Sequence, residues 1–257
     1  MGNCHFIKGR CQHCEGKLPF EFSMAFQPIV DLASREIYAY EALVRGTAGE
    51  SAWSIISRVD EGLLYRFDQA CRVRAIEMAS HLEMMQRLSI NFLPNAVYEP
   101  RACIQATLKT AKRVGWPLDR LIFEITEGEK VTDRDHLRHI VEEYREMGFE
   151  VALDDFGTGY ANLDILTVLT PHHLKLDRIL INGIDSDSRR QSMIRSMVAM
   201  SHALGIKLVA EGVETLGEAR WLYQQGITRH QGFLYARPGF ESLPLVDEKL
   251  FTEVVTA

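Results

Sequence analysis

The chemistry-bearing residues of this chain stand where short apolar runs stop. Glu41 interrupts the run 37–44, Asn91 lies near the end of 88–92, and Glu124 and Glu127 close 121–126. Asp154 and Asp155 follow 150–153, and Lys175 and Asp177 close 173–176. Glu211 and Glu214 follow 207–210, and Gln231 ends 227–231. One acidic residue after an apolar run is ordinarily a solvated loop residue. Five or more carboxylates brought to one place are different, because they repel unless cations sit among them. Oxygen-rich, sulfur-free donors suit hard ions such as Mg²⁺ or Mn²⁺. The adjacent pair Asp154-Asp155 meets the need of a two-ion site, where one carboxylate bridges ions roughly 3.5–4 Å apart and its neighbour holds the second. Such ions clamp a phosphodiester, activate water and stabilise the departing oxygen. Phe156-Gly157-Thr158-Gly159-Tyr160 follows directly. Its glycines allow backbone conformations that other residues resist, but the third glycine of a dinucleotide fingerprint is missing.

These groups meet only if the apolar runs lie side by side with their ends together. With 24–30 added at the front, the β-like runs number eight and alternate with helix-length amphipathic segments. Segment 67–82 repeats Ala70, Val73, Ile76 and Ala79; segment 136–147 puts Leu137, Ile140, Val141 and Tyr144 on one face. Segment 190–204 carries Met193, Met197 and Met200, which the period reads as core rather than a cofactor site. A further segment, 216–225, precedes the last run. Alternating strand and helix predicts an α/β fold, a TIM-like (β/α)8 barrel, whose active site forms at the C-terminal ends of the strands. The link 31–36 is too short for a parallel crossover, which needs a dozen or so residues. An antiparallel first strand pair is therefore expected.

Composition narrows the class. The 257 residues match a single barrel of roughly 250. A hydrophobic share of 46% excludes disorder, and 18 Gly with 8 Pro exclude collagen. No strongly apolar run exceeds four residues, against roughly 18 for a membrane span. No secretory signal is visible, and position six lacks the Ser or Thr of a myristoylation motif. The expectation is a soluble cytoplasmic protein with no membrane contact. A net charge of −6 argues against DNA or RNA as a partner, since such proteins carry basic stripes. Residues 1–20 look like a separate N-terminal extension, with 21–257 the main domain. Five cysteines in a signal-less chain argue against a disulfide scaffold. Cys71 and Cys103 read as buried small hydrophobes. Cys4, Cys11 and Cys14 with His5 or His13 would suit a tetrahedral Zn²⁺ or a redox site. Only Cys11-x-x-Cys14 has the usual spacing, so a passive extension is the stronger reading.

The motifs also fall in a familiar order: Gln27-Pro28-Ile29, Glu41-Ala42-Leu43-Val44-Arg45, Asn91, Glu124-Ile125-Thr126-Glu127, Asp154-Asp155-Phe156-Gly157-Thr158-Gly159, Lys175-Leu176-Asp177, Ala210-Glu211-Gly212-Val213-Glu214 and Gln231-Gly232-Phe233. Over residues 20–245 this order resembles the EAL-domain cyclic-di-GMP phosphodiesterases. The resemblance implies the same barrel and hydrolysis of cyclic-di-GMP to linear pGpG with two Mg²⁺ or Mn²⁺ ions. It implies Glu41, Asn91, Glu124 and Asp154 on the first ion, with Asp154, Asp155 and Glu211 on the second. Lys175 would orient the attacking water, and Glu127 would anchor the loop 155–160. Gln27, Leu43, Arg45, Glu214 and Gln231 would line the substrate site. A homodimer and a regulatory protein partner are further implications. The alternative within the family is a catalytically silent receptor or interaction module. Departures are few: Phe92-Leu93-Pro94 after Asn91, and Tyr160-Ala161-Asn162 in the glycine loop.

Overall fold

The computed structural model describes residues 6–7, 10–11, 16–94, 97, 99–125, 134–157 and 163–256. Ahead of the barrel, Phe6–Ile7 pairs antiparallel with Arg10–Cys11. The barrel strands are β1 (Ser23–Asp31), β2 (Glu36–Arg45), β3 (Arg87–Phe92), β4 (Leu121–Ile125), β5 (Glu150–Phe156), β6 (His173–Leu176), β7 (Lys207–Ala210) and β8 (Arg229–Gln231). β1 runs antiparallel to β2 with Gln27 opposite Glu41, as the short link requires. From β2 to β8 each strand is parallel to the next. β8 then pairs antiparallel with β1, Gln231 opposite Ile29, and closes the ring. A two-residue strand β9 (Gly239–Phe240) adds to β1 at Ala25 and Phe26.

Successive strand residues face opposite sides, and this alternation sorts the core in two. Leu88, Ile90 and Phe92, then Leu121, Phe123 and Ile125, face outward into the large apolar layer beneath the helices. Ile29, Ala39, Ile122, Ala152 and Val209 form a small apolar plug inside the ring. Toward the strand C-termini the inward side chains become acidic and amide. At the opposite end they are Arg87, Glu150, His173 and Arg229 near the N-termini of their strands, with Asp31 at the C-terminus of antiparallel β1. The β1–β2 register skips between Ile29 and Val30, which leaves Tyr38 as the extra residue of a bulge. Its hydroxyl donates to Glu150 Oε2 at 2.8 Å, while the Arg229 guanidinium lies 3.7 Å over its ring. The floor is thus closed by paired charges.

The helices are α1 (Ala52–Ile56), α2 (Leu64–His81), α3 (Pro100–Cys103), α4 (Gln105–Val114), α5 (Arg134–Glu146), α6 (Arg178–Ile181), α7 (Ser188–Leu204), α8 (Leu216–Gln224) and α9 (Glu248–Val255). Their ends follow ordinary capping chemistry. Asp187 caps α7, Thr215 and Glu218 form a capping box on α8, and left-handed Gly115 and Gly205 stop α4 and α7. The expected face of α5 is buried as predicted. On α2 the predicted Ile76 and Ala79 are fully buried while Ala70 and Val73 are half-buried, and the buried face extends to Phe67, Asp68, Cys71, Arg72, Ala75 and Met78. The methionine stripe is corrected at one position: Met197 and Met200 are half-buried and pack against the main core as expected, but Met193 is 45% exposed and Ile194 takes the buried position on α7. Cys71 and Cys103 are buried as expected, and Leu18 and Phe20 pack on the main core. Among the described residues no helix is long and apolar enough to cross a membrane.

Candidate active site

The inward alternation that buries Ala39, Ile122, Ala152 and Val209 puts Glu41, Glu124, Asp154 and Glu211 two residues further along, at the mouth. Asn91 on β3, Lys175 on β6, Gln231 on β8 and Gln27 on β1 arrive by the same rule. Glu41, Glu124 and Asp154 each offer an oxygen within 4.8 Å of the others, and Asp154, Asp155 and Glu211 form a second such group. Asp154 belongs to both. Two consecutive residues share the mouth because the β5–β6 register breaks between Leu153 and Phe156. Asp155 there has φ of 56°, a left-handed conformation uncommon for a residue with a side chain. Its N–H is satisfied by Asp154 Oδ1 at 3.0 Å.

Lys175 sits at the centre, almost fully buried. Its Nζ lies 2.8 Å from Asp154, 2.9 Å from Glu124 and from Glu211, and 3.7 Å from Glu41. Burial alone would lower the lysine pKa, but Asp154, Glu124, Glu211 and Glu41 outweigh it and hold the ammonium well above its ordinary range. Burial drives Glu124 and Glu211 upward, against the pull of Lys175. Burial and then the neighbouring Asp154 push Asp155 up to about 6. The cluster thus gathers four carboxyl groups around one ammonium, and its donors are oxygens suited to hard divalent ions.

A ring of amides and one hydroxyl orients the carboxylates. Asn91 Nδ2 donates to Glu41 Oε1 at 2.9 Å, and Gln231 Nε2 donates to Glu41 Oε2 at 2.7 Å. Gln231 Nε2 also reaches Gln27 Oε1 at 3.2 Å, and Gln27 Nε2 donates to the Ala236 carbonyl. Gln231 Oε1 is buried with no hydrogen-bond partner among the described residues. Ser89, absent from the sequence-based set, donates to Glu124 Oε1 at 2.6 Å. Its only sequence signal is its place two residues before Asn91 on one strand. Glu218 was also missed. It accepts the N–H groups of Gly183, Glu214 and Thr215 at 2.8, 2.9 and 3.0 Å, and so fixes the segment after Glu211.

The remaining expected residues lie around this centre. Leu43 borders an apolar cavity beside Asn91. Arg45 ends β2, half-buried, with Nη1 on the Val44 carbonyl at 2.7 Å. Glu214 is exposed and pairs with Arg178 at 3.0 Å. Glu127 and residues 158–162 of the glycine loop lie outside the described residues, as do the side chains of Cys4, His5, Cys11, His13 and Cys14. Nothing described supports Zn²⁺ there.

The chain is similar to a crystal structure titled a standalone versatile EAL protein from Vibrio cholerae O395 in its c-di-GMP-bound form, with 48% identity and TM-score 0.89 over 91% of this chain and 99% of that one. It is also similar to a manganese and cyclic-di-GMP complex of Klebsiella pneumoniae BlrP1, with 34% identity and TM-score 0.82 over 89% and 59% of the two chains. Among curated relatives, the Escherichia coli blue light- and temperature-regulated antirepressor BluF is 30% identical over 86% of this chain. The Pseudomonas aeruginosa cyclic di-GMP phosphodiesterase NbdA is 31% identical over 85% of it. The chain spans 55% of BluF and 29% of NbdA. The EAL domain pattern matches residues 16–238, nearly the whole barrel, and the chain belongs to the EAL domain family.

Proposed function

We propose that the chain hydrolyses cyclic-di-GMP to linear pGpG with two Mg²⁺ or Mn²⁺ ions. The observation that carries this reading is the gathering of Glu41, Glu124, Asp154 and Glu211 around buried Lys175. Glu41, Asn91, Glu124 and Asp154 would hold one ion, and Asp154, Asp155 and Glu211 the other. When bound, the ions supply the positive charge that an acidic protein lacks against a doubly anionic substrate, and they activate water. Lys175, the one ammonium among these carboxylates in the described residues, would donate a hydrogen bond that orients the attacking water. Gln231 braces Glu41 and is itself held by Gln27; both would line the mouth with Leu43, and the unpaired Gln231 Oε1 would accept from the substrate. Arg45 offers a planar donor fork that suits phosphate. Glu214 would meet the substrate from the rim, and Glu127 would tie the glycine loop to the site.

Incubation with cyclic-di-GMP and Mn²⁺, followed by chromatography, tests the reading. The expected product is pGpG, its formation stopped by chelator and restored by Mg²⁺ or Mn²⁺ but poorly by Ca²⁺, whose coordination is larger and looser. Glu41→Ala and Asp154→Ala each abolish turnover. A folded, Mn²⁺-loaded sample that leaves the ring intact overturns hydrolysis. Binding without cleavage would instead favour the second reading, a receptor or partner-binding module, which the resemblance to an antirepressor supports.

A further inference from the structure

One turn apart on α2, Asp68 and Arg72 are 3% and 1% exposed, with Asp68 Oδ2 2.7 Å from Arg72 Nη2. A buried pair of this kind is a poor source of stability, since apolar side chains of similar volume often do as well or better. Arg72 Nε and Nη1 are moreover buried without a hydrogen-bond partner among the described residues. The other carboxylate oxygen does what an apolar side chain cannot. Asp68 Oδ1 accepts the N–H of Leu93 at 3.0 Å.

Leu93 stands two residues beyond Asn91, where the sheet lets go of the chain. The β3 ladder to β4 runs on through Asn91 and Phe92, but the ladder to β2 stops at Ala42 opposite Ile90. Asn91 therefore has a paired neighbour on one side only. Against the other side lies a cavity of about 350 Å³ bordered by Leu43, Asn91, Leu93, Asp68 and Cys71. Phe92 is held on its outward side among Phe123 and Tyr144, whereas on the cavity side the restraint shown is the bond from the Leu93 N–H to Asp68. We propose that Asp68 is a positioning residue for Asn91. By fixing the Leu93 N–H to α2, it sets the Asn91 amide against Glu41 and the first divalent ion. The proposal rests on Asn91 being a ligand, as read above, and invokes no contact between Asp68 and the ion.

The test uses the full chain without substrate. Thermal melting reports folding, and electron paramagnetic resonance of free Mn²⁺ reports ion affinity. D68L/R72L makes the pair apolar; D68N/R72L differs from it only by restoring an acceptor of similar size. The first is expected to melt at or above the parent yet bind Mn²⁺ roughly 10–100-fold more weakly, as when outer hydrogen bonds to a ligand are removed. The second recovers most of that affinity. Adding Asn91→Ala to D68L/R72L weakens binding no further than Asn91→Ala alone. Parental affinity in D68L/R72L, with Asn91→Ala weakened, overturns the positioning role and leaves the ligand assignment standing. No effect of Asn91→Ala removes the ligand assignment and the proposal with it. If D68L/R72L does not fold, Asp68→Glu decides, because it keeps the charge pair but moves the anchor by one methylene. Several-fold weaker Mn²⁺ binding at a parental melting temperature supports the proposal, and unchanged binding overturns it.

Discussion

Lys175 is the residue on which the mouth balances. Four carboxylates lie within 3.7 Å of its Nζ, and removing one partner of a buried ion pair typically costs about 3–5 kcal/mol. Lys175→Met keeps the stem and deletes the charge. In chelator it should melt roughly 10 °C below the parent, given about 2–4 °C per kcal/mol for a domain near this size. Mn²⁺ should then raise its melting temperature more than the parent's, because divalent charge replaces the missing ammonium. Scanning fluorimetry with and without Mn²⁺ reads both shifts, and equal responses of the two proteins contradict the balance described. Lys175 and the carboxylates were legible in the sequence because charges that interrupt apolar runs stand out. Ser89 was not, since a serine within a strand carries no pattern. Asp68 was hidden for a related reason: a charge on an amphipathic helix reads as solvent-facing, and only the fold shows this one buried against Arg72.

At the scale of elements, the strands were legible because each is short, apolar and bounded. Their order followed from alternation with helices, and the antiparallel β1–β2 pair from the length of one link. What periodicity could not supply was the bulge that turns both Asp154 and Asp155 toward the mouth, because register belongs to a pair of strands. The helices were less legible. α3, α6 and α9 are 4, 4 and 8 residues long, too short for a period to emerge. On α7 the neighbours Met193 and Ile194 differ by one step of about 100°, and hydrophobicity alone does not choose between them. The structure chooses Ile194, which is fully buried. Ile194→Ala should therefore cost about 2–5 kcal/mol, whereas Met193→Lys should stay within about 0.5 kcal/mol of the parent. Urea denaturation of the two variants measures this directly. A large loss in Met193→Lys with a small one in Ile194→Ala would restore the methionine stripe as core.

For the whole molecule, the barrel interior is a small apolar plug between two charged layers, and acid acts on the fold from outside the mouth as well as within it. Fully buried His230 bonds Tyr235 and the Ile227 carbonyl, and burial pushes its pKa from 6.5 down to about 4. Burial lowers His173 on the floor too, against the pull of Glu150. Burial would raise Glu150, but its bonds from His173 and Tyr38 outweigh that and hold it at about 2. The signs agree. A histidine whose folded pKa is depressed costs nothing above 6.5 and destabilises the fold increasingly as pH falls toward 4. The depressed Glu150 stabilises the fold above 4.5 and loses that contribution between 4.5 and 2. In chelator His230 should therefore weaken the fold as pH falls from 6.5 toward 4 and Glu150 between 4.5 and 2, while the raised carboxyls Asp155, Glu124 and Glu211 at the mouth act in the opposite sense. His230 alone accounts for about 1 kcal/mol at pH 5.5, or roughly 2–4 °C. His230→Gln loses native bonds and should melt lower at pH 7.5. Its further drop between pH 7.5 and 5.5 should be smaller than the parent's by that same 2–4 °C. Melts of both proteins at the two pH values decide the point, and an equal drop in both would assign the acid sensitivity to a group other than His230.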